Sequence, residues 1–131
     1  MSRTLWVVVV AAGVGLAAGC GGAKPAGSID AERKAALEEL GETLKALAAE
    51  GRKPPTKLAE LGPVEPMIPL AGPMIRSGDV VYLWGAGYAA GGMQVVAFEK
   101  KVEVEGGSVL LQDGTVKTMT ASEFQSAAKA K

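Results

Sequence analysis

Histidine is missing from this chain, and with it goes the commonest general base and the commonest metal ligand. Cysteine occurs once, at Cys20, so no disulfide can close within the chain and no thiolate zinc, haem or iron–sulfur set can be assembled. Aromatics are scarce, with two Trp, two Tyr and two Phe, so the core has to be built from Leu, Val, Met and Ala. Tyr82, Trp84 and Phe98 are its larger pieces. Neither sign of charge prevails: 14 Lys and Arg face 14 Asp and Glu, with no basic run or stripe. A nucleic-acid partner therefore has no electrostatic footprint here.

What the chain does have is concentrated at its start. Arg3 supplies a positive n-region, residues 5–18 are uncharged and mostly apolar, and Ala17-Ala18-Gly19 offers the small side chains that a signal peptidase accepts. The apolar stretch falls short of the roughly twenty residues that a membrane-spanning helix needs. Cys20 follows directly. Cut by an ordinary peptidase, the chain would carry an unpaired exposed thiol into an oxidising compartment, where intermolecular disulfides threaten.

The run Leu16-Ala17-Ala18-Gly19-Cys20 resembles the lipobox of bacterial lipoproteins. The resemblance implies cleavage between Gly19 and Cys20 and a diacylglycerol thioether on Cys20, usually with N-acylation. It thus implies a membrane partner reached through lipid. The family favours leucine three residues before the cysteine; here Ala17 takes that place and Leu16 stands one earlier. Gly21-Gly22 follow, with no aspartate beside Cys20, which by the same resemblance implies export to the periplasmic face of the outer membrane. A single acyl chain binds membranes marginally, whereas two or three hold for cellular times.

The division expected is a signal peptide over residues 1–19, a lipidated cysteine and flexible tether over 20–27, and one small globular domain over 28–131. The tether (Gly-Gly-Ala-Lys-Pro-Ala-Gly after Cys20) has no apolar periodicity and reaches at most about 25 Å. Residues 28–50 read as an amphipathic helix, with Leu37, Leu40, Leu44 and Leu47 on one stripe. Ser28 or Asp30 is expected at its N-cap and Gly51 just past its end. Gly41, mid-helix, permits a neighbour to approach closely. Residues 58–61 suit one short helical turn.

Prolines 63, 66, 69 and 73 predict an ordered, helix-free loop over residues 63–78, with a proline-rich ligand for a partner groove as the sharper reading. Residues 79–84 and 93–99 are strand-like. Residues 108–112 and 115–119 flank Asp113-Gly114, a strong hairpin signal. Residues 100–107 read as a loop or ragged edge strand. Thr120 and Glu123 form a capping box for a final helix whose Lys129–Lys131 end is expected to fray. The fold class expected is α+β: one long N-terminal amphipathic helix packed on an antiparallel meander of about four strands, then a short C-terminal helix. The helix, the break at Gly51, and the sheet with its Asp113-Gly114 hairpin resemble the head of type II secretion pseudopilins and of small planctomycete exported proteins. Pseudopilins assemble through a long apolar N-terminal helix with a glutamate near the cut, and this chain has Cys20 and a tether there instead.

No catalytic, cofactor or metal constellation emerges. Gly85-Ala86-Gly87-Tyr88-Ala89-Ala90-Gly91-Gly92 has the wrong spacing for a dinucleotide loop and leads into a strand, so a flexible hairpin connection fits better. Asp113-Gly114 lacks the alternating oxygen ligands of a calcium loop. Glu99, Glu103 and Glu105, interleaved with lysines, read as a solvated edge that resists strand addition. The serines have no histidine partner and no nucleophile elbow. A surface at Trp84 and Tyr88 is the candidate interaction site: Tyr82 and Trp84 share a sheet face, as core or as binding platform, and Tyr88 stands among residues too small to bury it. The function expected is a lipid-anchored, non-enzymatic envelope protein with a protein partner, the alternative being a periplasmic small-ligand accessory module.

Overall fold

The computed structural model describes residues 26–131, with side chains from Ile29 onward. Cys20, Gly19 and the expected signal peptide lie outside the described residues. The first element, α1 (Ala26–Ala49), buries Ala36, Leu37, Leu40, Leu44 and Leu47, the stripe that its leucine spacing demands. Its start corrects the sequence reading. The helix already runs at Ala26, so the last two tether residues belong to it and Ser28 and Asp30 are interior rather than capping positions. At the other end, Gly51 (φ 69°) sends its N–H to Ala48 O at 3.1 Å, and Arg52 reaches Leu47 O at 2.8 Å. This pair of bonds satisfies the carbonyls that a helix end leaves open.

A 3-10 turn over Leu58–Glu60 occupies the place expected for a helical turn. The proline-rich segment does not stay helix-free. A second 3-10 turn (Glu65–Met67) includes Pro66, and α2 (Ala71–Ser77) includes Pro73 as its third residue. Both prolines sit in a first turn, where the missing N–H would have had no intrahelical partner. The open donors of α2 are satisfied from outside: Glu39 Oε2 on α1 accepts from Leu70 N and Ala71 N, both at 2.9 Å. Leu61, Val64, Ile68, Ala71 and Ile75 from this segment join the α1 leucines in one core.

Four strands follow as an antiparallel meander in sequence order: β1 (Val80–Tyr82), β2 (Val95–Glu99), β3 (Gly107–Leu111) and β4 (Val116–Met119). A register shift between Val95 and Ala97 turns both Val96 and Ala97 toward α1, while Val95 and Phe98 face the opposite side. Gly41 is where α1 meets the hairpin, since a Cβ there would stand 2.8 Å from Leu110 Cδ1 and 3.2 Å from Gly114 O. The Asp113-Gly114 turn forms as expected; Asp113 Oδ1 accepts from Thr115 N at 2.9 Å, which holds its carboxyl below the ordinary value.

The far sheet face carries a smaller core of Val95, Phe98, Val102, Val109, Leu111 and Phe124. Here too the expectation is corrected. Within residues 100–107, Val102–Glu105 wind one helical turn, α3, that plugs Val102 into this core, and Gly107 already begins β3, an interior strand. The last helix, α4 (Ala121–Ser126), is capped by Thr120 Oγ1 accepting from Glu123 N at 3.1 Å. It lays Phe124 on Phe98, with ring centroids 4.6 Å apart. The tail beyond it does not fray. Val95 N donates to Ala128 O and Ala130 N to Val95 O, both at 2.8 Å, a parallel bridge that takes up the edge of β2 beyond the end of β1. Lys129 Nζ donates to Phe124 O (2.7 Å) and Ala127 O (2.9 Å), satisfying carbonyls at the end of α4.

Candidate functional site

The fold gives the residues expected to form an interaction surface different surroundings. Tyr82 belongs to the core under α1, where its hydroxyl donates to Ala86 O and burial pushes its ionisation well above the ordinary value. Trp84 packs edge-on against it (centroids 5.1 Å apart, planes at 80°) yet remains 37% exposed. The pair is thus neither wholly core nor a platform: Tyr82 is core, and Trp84 is its rim. Tyr88 is half-buried against the same core rather than standing free, with the Lys45 ammonium 6.0 Å from its ring centroid.

The glycine-rich connection is tied down. Gly85 N donates to Pro55 O and Ala89 N to Gln112 O, each at 2.8 Å, while Ala86 is fully enclosed. These bonds shape a cleft of about 570 Å³ in which Tyr88, Gly87 and Pro54 meet Gln94, Gln112 and Lys131. Trp84 does not line it. The cleft offers an aromatic face, two carboxamides and an ammonium, which suits weak polar recognition of a small solute or a chain segment.

A second arrangement went unread in the sequence. Glu99, expected on a solvated edge with Glu103 and Glu105, is 1% exposed. Only the latter two stand in solvent. Glu99 Oε2 accepts from Ser108 N at 2.6 Å; Oε1 is buried with no hydrogen-bond partner. The carboxylate fits because residue 107 is glycine: a Cβ there would collide with it, and would stand 3.2 Å from Lys101 Cε. Lys101 in turn gives its ammonium to Asp30 on α1 at 2.8 Å. Arg33, one turn along, lies 3.7 Å from Asp30 and 3.9 Å from Asp79. Lys101's hydrogen bond lowers the Asp30 carboxyl, and the reciprocal bond, with Glu99's charge adding to it, raises the Lys101 ammonium. The sequence signal available was positional. Glu99 ends a run of buried strand residues and comes to lie across from Gly107-Ser108.

Among the described residues no three His, Cys, Asp or Glu side chains gather as a metal site, and no helix is long and apolar enough to cross a membrane. No family model, no curated protein and no solved structure matches this chain.

Proposed function

We propose that this chain is a lipid-anchored, non-enzymatic envelope protein, held through acylated Cys20 at the periplasmic face of the outer membrane and acting in architecture or protein contact. The observation that carries the reading is Leu16-Ala17-Ala18-Gly19-Cys20 directly behind Arg3 and an apolar stretch. The early start of α1 supports a short leash. Since α1 already runs at Ala26, at most five residues, 21–25, stand between Cys20 and the helix, a reach of no more than about 18 Å. Mass spectrometry of the mature N-terminus tests it: Cys20 bearing diacylglycerol is expected, with Cys20→Ser releasing the protein from membranes. A chain beginning at unmodified Met1 would remove the proposal. Crosslinking in cells, followed by identification of the captured protein, addresses the partner.

The cleft beside Tyr88 favours a second reading, a small-ligand accessory module. Cleavage after Gly19 would remove Trp6 and leave Trp84 as the sole tryptophan. Half-exposed at the rim, it is expected to be quenched by iodide. Trp84 does not line the cleft, so binding is read at the cleft itself: a bound ligand is expected to shift the NMR signals of Tyr88, Gln94 and Gln112, and a compound that leaves them unshifted is not bound there.

A further inference from the structure

The Glu99 oxygen and the Lys101 ammonium belong together in one respect. A buried carboxylate oxygen without a partner forfeits the hydrogen bonds that water would have given it. Lys101 passes beside that carboxylate, meeting it at Gly107, yet spends its ammonium on Asp30. Asp30 lies in the stretch of α1 that the core does not hold: from residue 29 to 35 no side chain is buried. This stretch makes ion pairs, Asp30 with Lys101 and Arg33 toward Asp79, each with its carboxylate about half in solvent, where ion pairs hold weakly.

We propose that Lys101 is an exchangeable latch for residues 26–35 of α1. With this stretch docked, the ammonium sits on Asp30 and Glu99 Oε1 has no hydrogen-bond partner. When residues 26–35 lift away, Asp30 leaves and Lys101 turns to Glu99 Oε1. Lys101 Cε already lies with the Glu99 carboxylate around Gly107, so the exchange is a local one. Opening therefore gains a charge-assisted bond that the closed state lacks, which offsets the loss of the Asp30 pair. Local opening of this kind is how helix ends exchange with solvent while the core stays folded. Unwinding ten residues from 1.5 Å to about 3.5 Å each lengthens the leash by about 20 Å. This consequence for reach rests on the anchoring at Cys20, whereas the latch itself does not.

Residue-resolved native hydrogen exchange on the full chain tests the latch, independently of any measurement on Cys20. Glu99→Gln keeps the shape but removes the charge that receives Lys101 on opening. Exchange at residues 30–35 is expected to slow roughly fivefold while residues 36–47 keep their rates. Unchanged or faster exchange at 30–35 would overturn the proposal, as would a Glu99 oxygen satisfied equally by water in both states, which gives that same result. A second measurement stands if Glu99→Gln does not fold. In Asp30→Asn the Lys101 ammonium, followed by ¹⁵N NMR, is expected to keep slow proton exchange because Glu99 holds it. Exchange as fast as that of the exposed Lys34 ammonium would sink the latch.

Discussion

The two parts of α1 hold to the same sheet by different physics. Residues 36–47 place Ala36, Leu37, Leu40, Leu44 and Leu47 in the core, and Gly41 lets the backbone close on Leu110 and Gly114. Residues 29–35 bury no side chain fully, leave Glu32, Arg33 and Ala35 only partly covered, and pair Asp30 with Lys101 and Arg33 with Asp79. One helix thus carries a segment whose loss unfolds the domain and a segment that can move without it. The difference follows from where the energy lies: burial of a leucine contributes about 1.5–3 kcal/mol, whereas exposed ion pairs add little and are screened by salt.

Three measurements break or sharpen this contrast. The largest effect is expected from Leu37→Ala, which opens a cavity at a fully enclosed site and should cost about 3 kcal/mol in urea unfolding. A loss under about 1 kcal/mol would mean that this half of α1 is not core-held. Gly41→Ala comes next. The new methyl meets Leu110 Cδ1 at 2.8 Å and Gly114 O at 3.2 Å, and the overpacking outweighs the gain in helix propensity, for a net loss of about 1 kcal/mol. Stabilisation instead would show that the hairpin yields freely beneath the helix.

The smallest effect is confined to residues 30–35 and depends on pH. The Asp30 carboxyl is lowered in the folded state below its ordinary 3.8, chiefly by the Lys101 bond. Its contribution is therefore fully present above that value and lost as pH falls through the lowered one. Hydrogen exchange corrected for intrinsic rates should rise at 30–35 on acidification before it rises at 36–47. Simultaneous rises would erase the distinction between the two segments.

Elements written in local chemistry were legible in the sequence. The leucine spacing foretold the buried stripe, Asp113-Gly114 the hairpin, and Thr120 with Glu123 the last cap. The misreadings share a cause. Pro66 and Pro73 argue against helix only when their position in the turn is unknown, and Glu39, thirty-two residues before Ala71, helps to cap α2. The tail looked ready to fray until Val95 offered it an unpaired edge. Of the candidate surface, Trp84 and Tyr88 were visible as unusual side chains, but not that Tyr88 alone of the two would line the cleft. Glu99 was the deepest misreading, because its neighbours in sequence are charged while its neighbours in space are a buried strand and Gly107.

By itself the sequence determined periodicity, turn chemistry and the Leu16-to-Cys20 pattern from which lipid anchoring is proposed, since each depends on residues a few positions apart. Tertiary structure alone decided which charges would be buried and which half of α1 would be held by leucines or by ions. Those outcomes depend on what lies opposite each side chain. A carboxylate becomes a surface group or a buried, half-satisfied one according to whether water or Gly107 stands beside it.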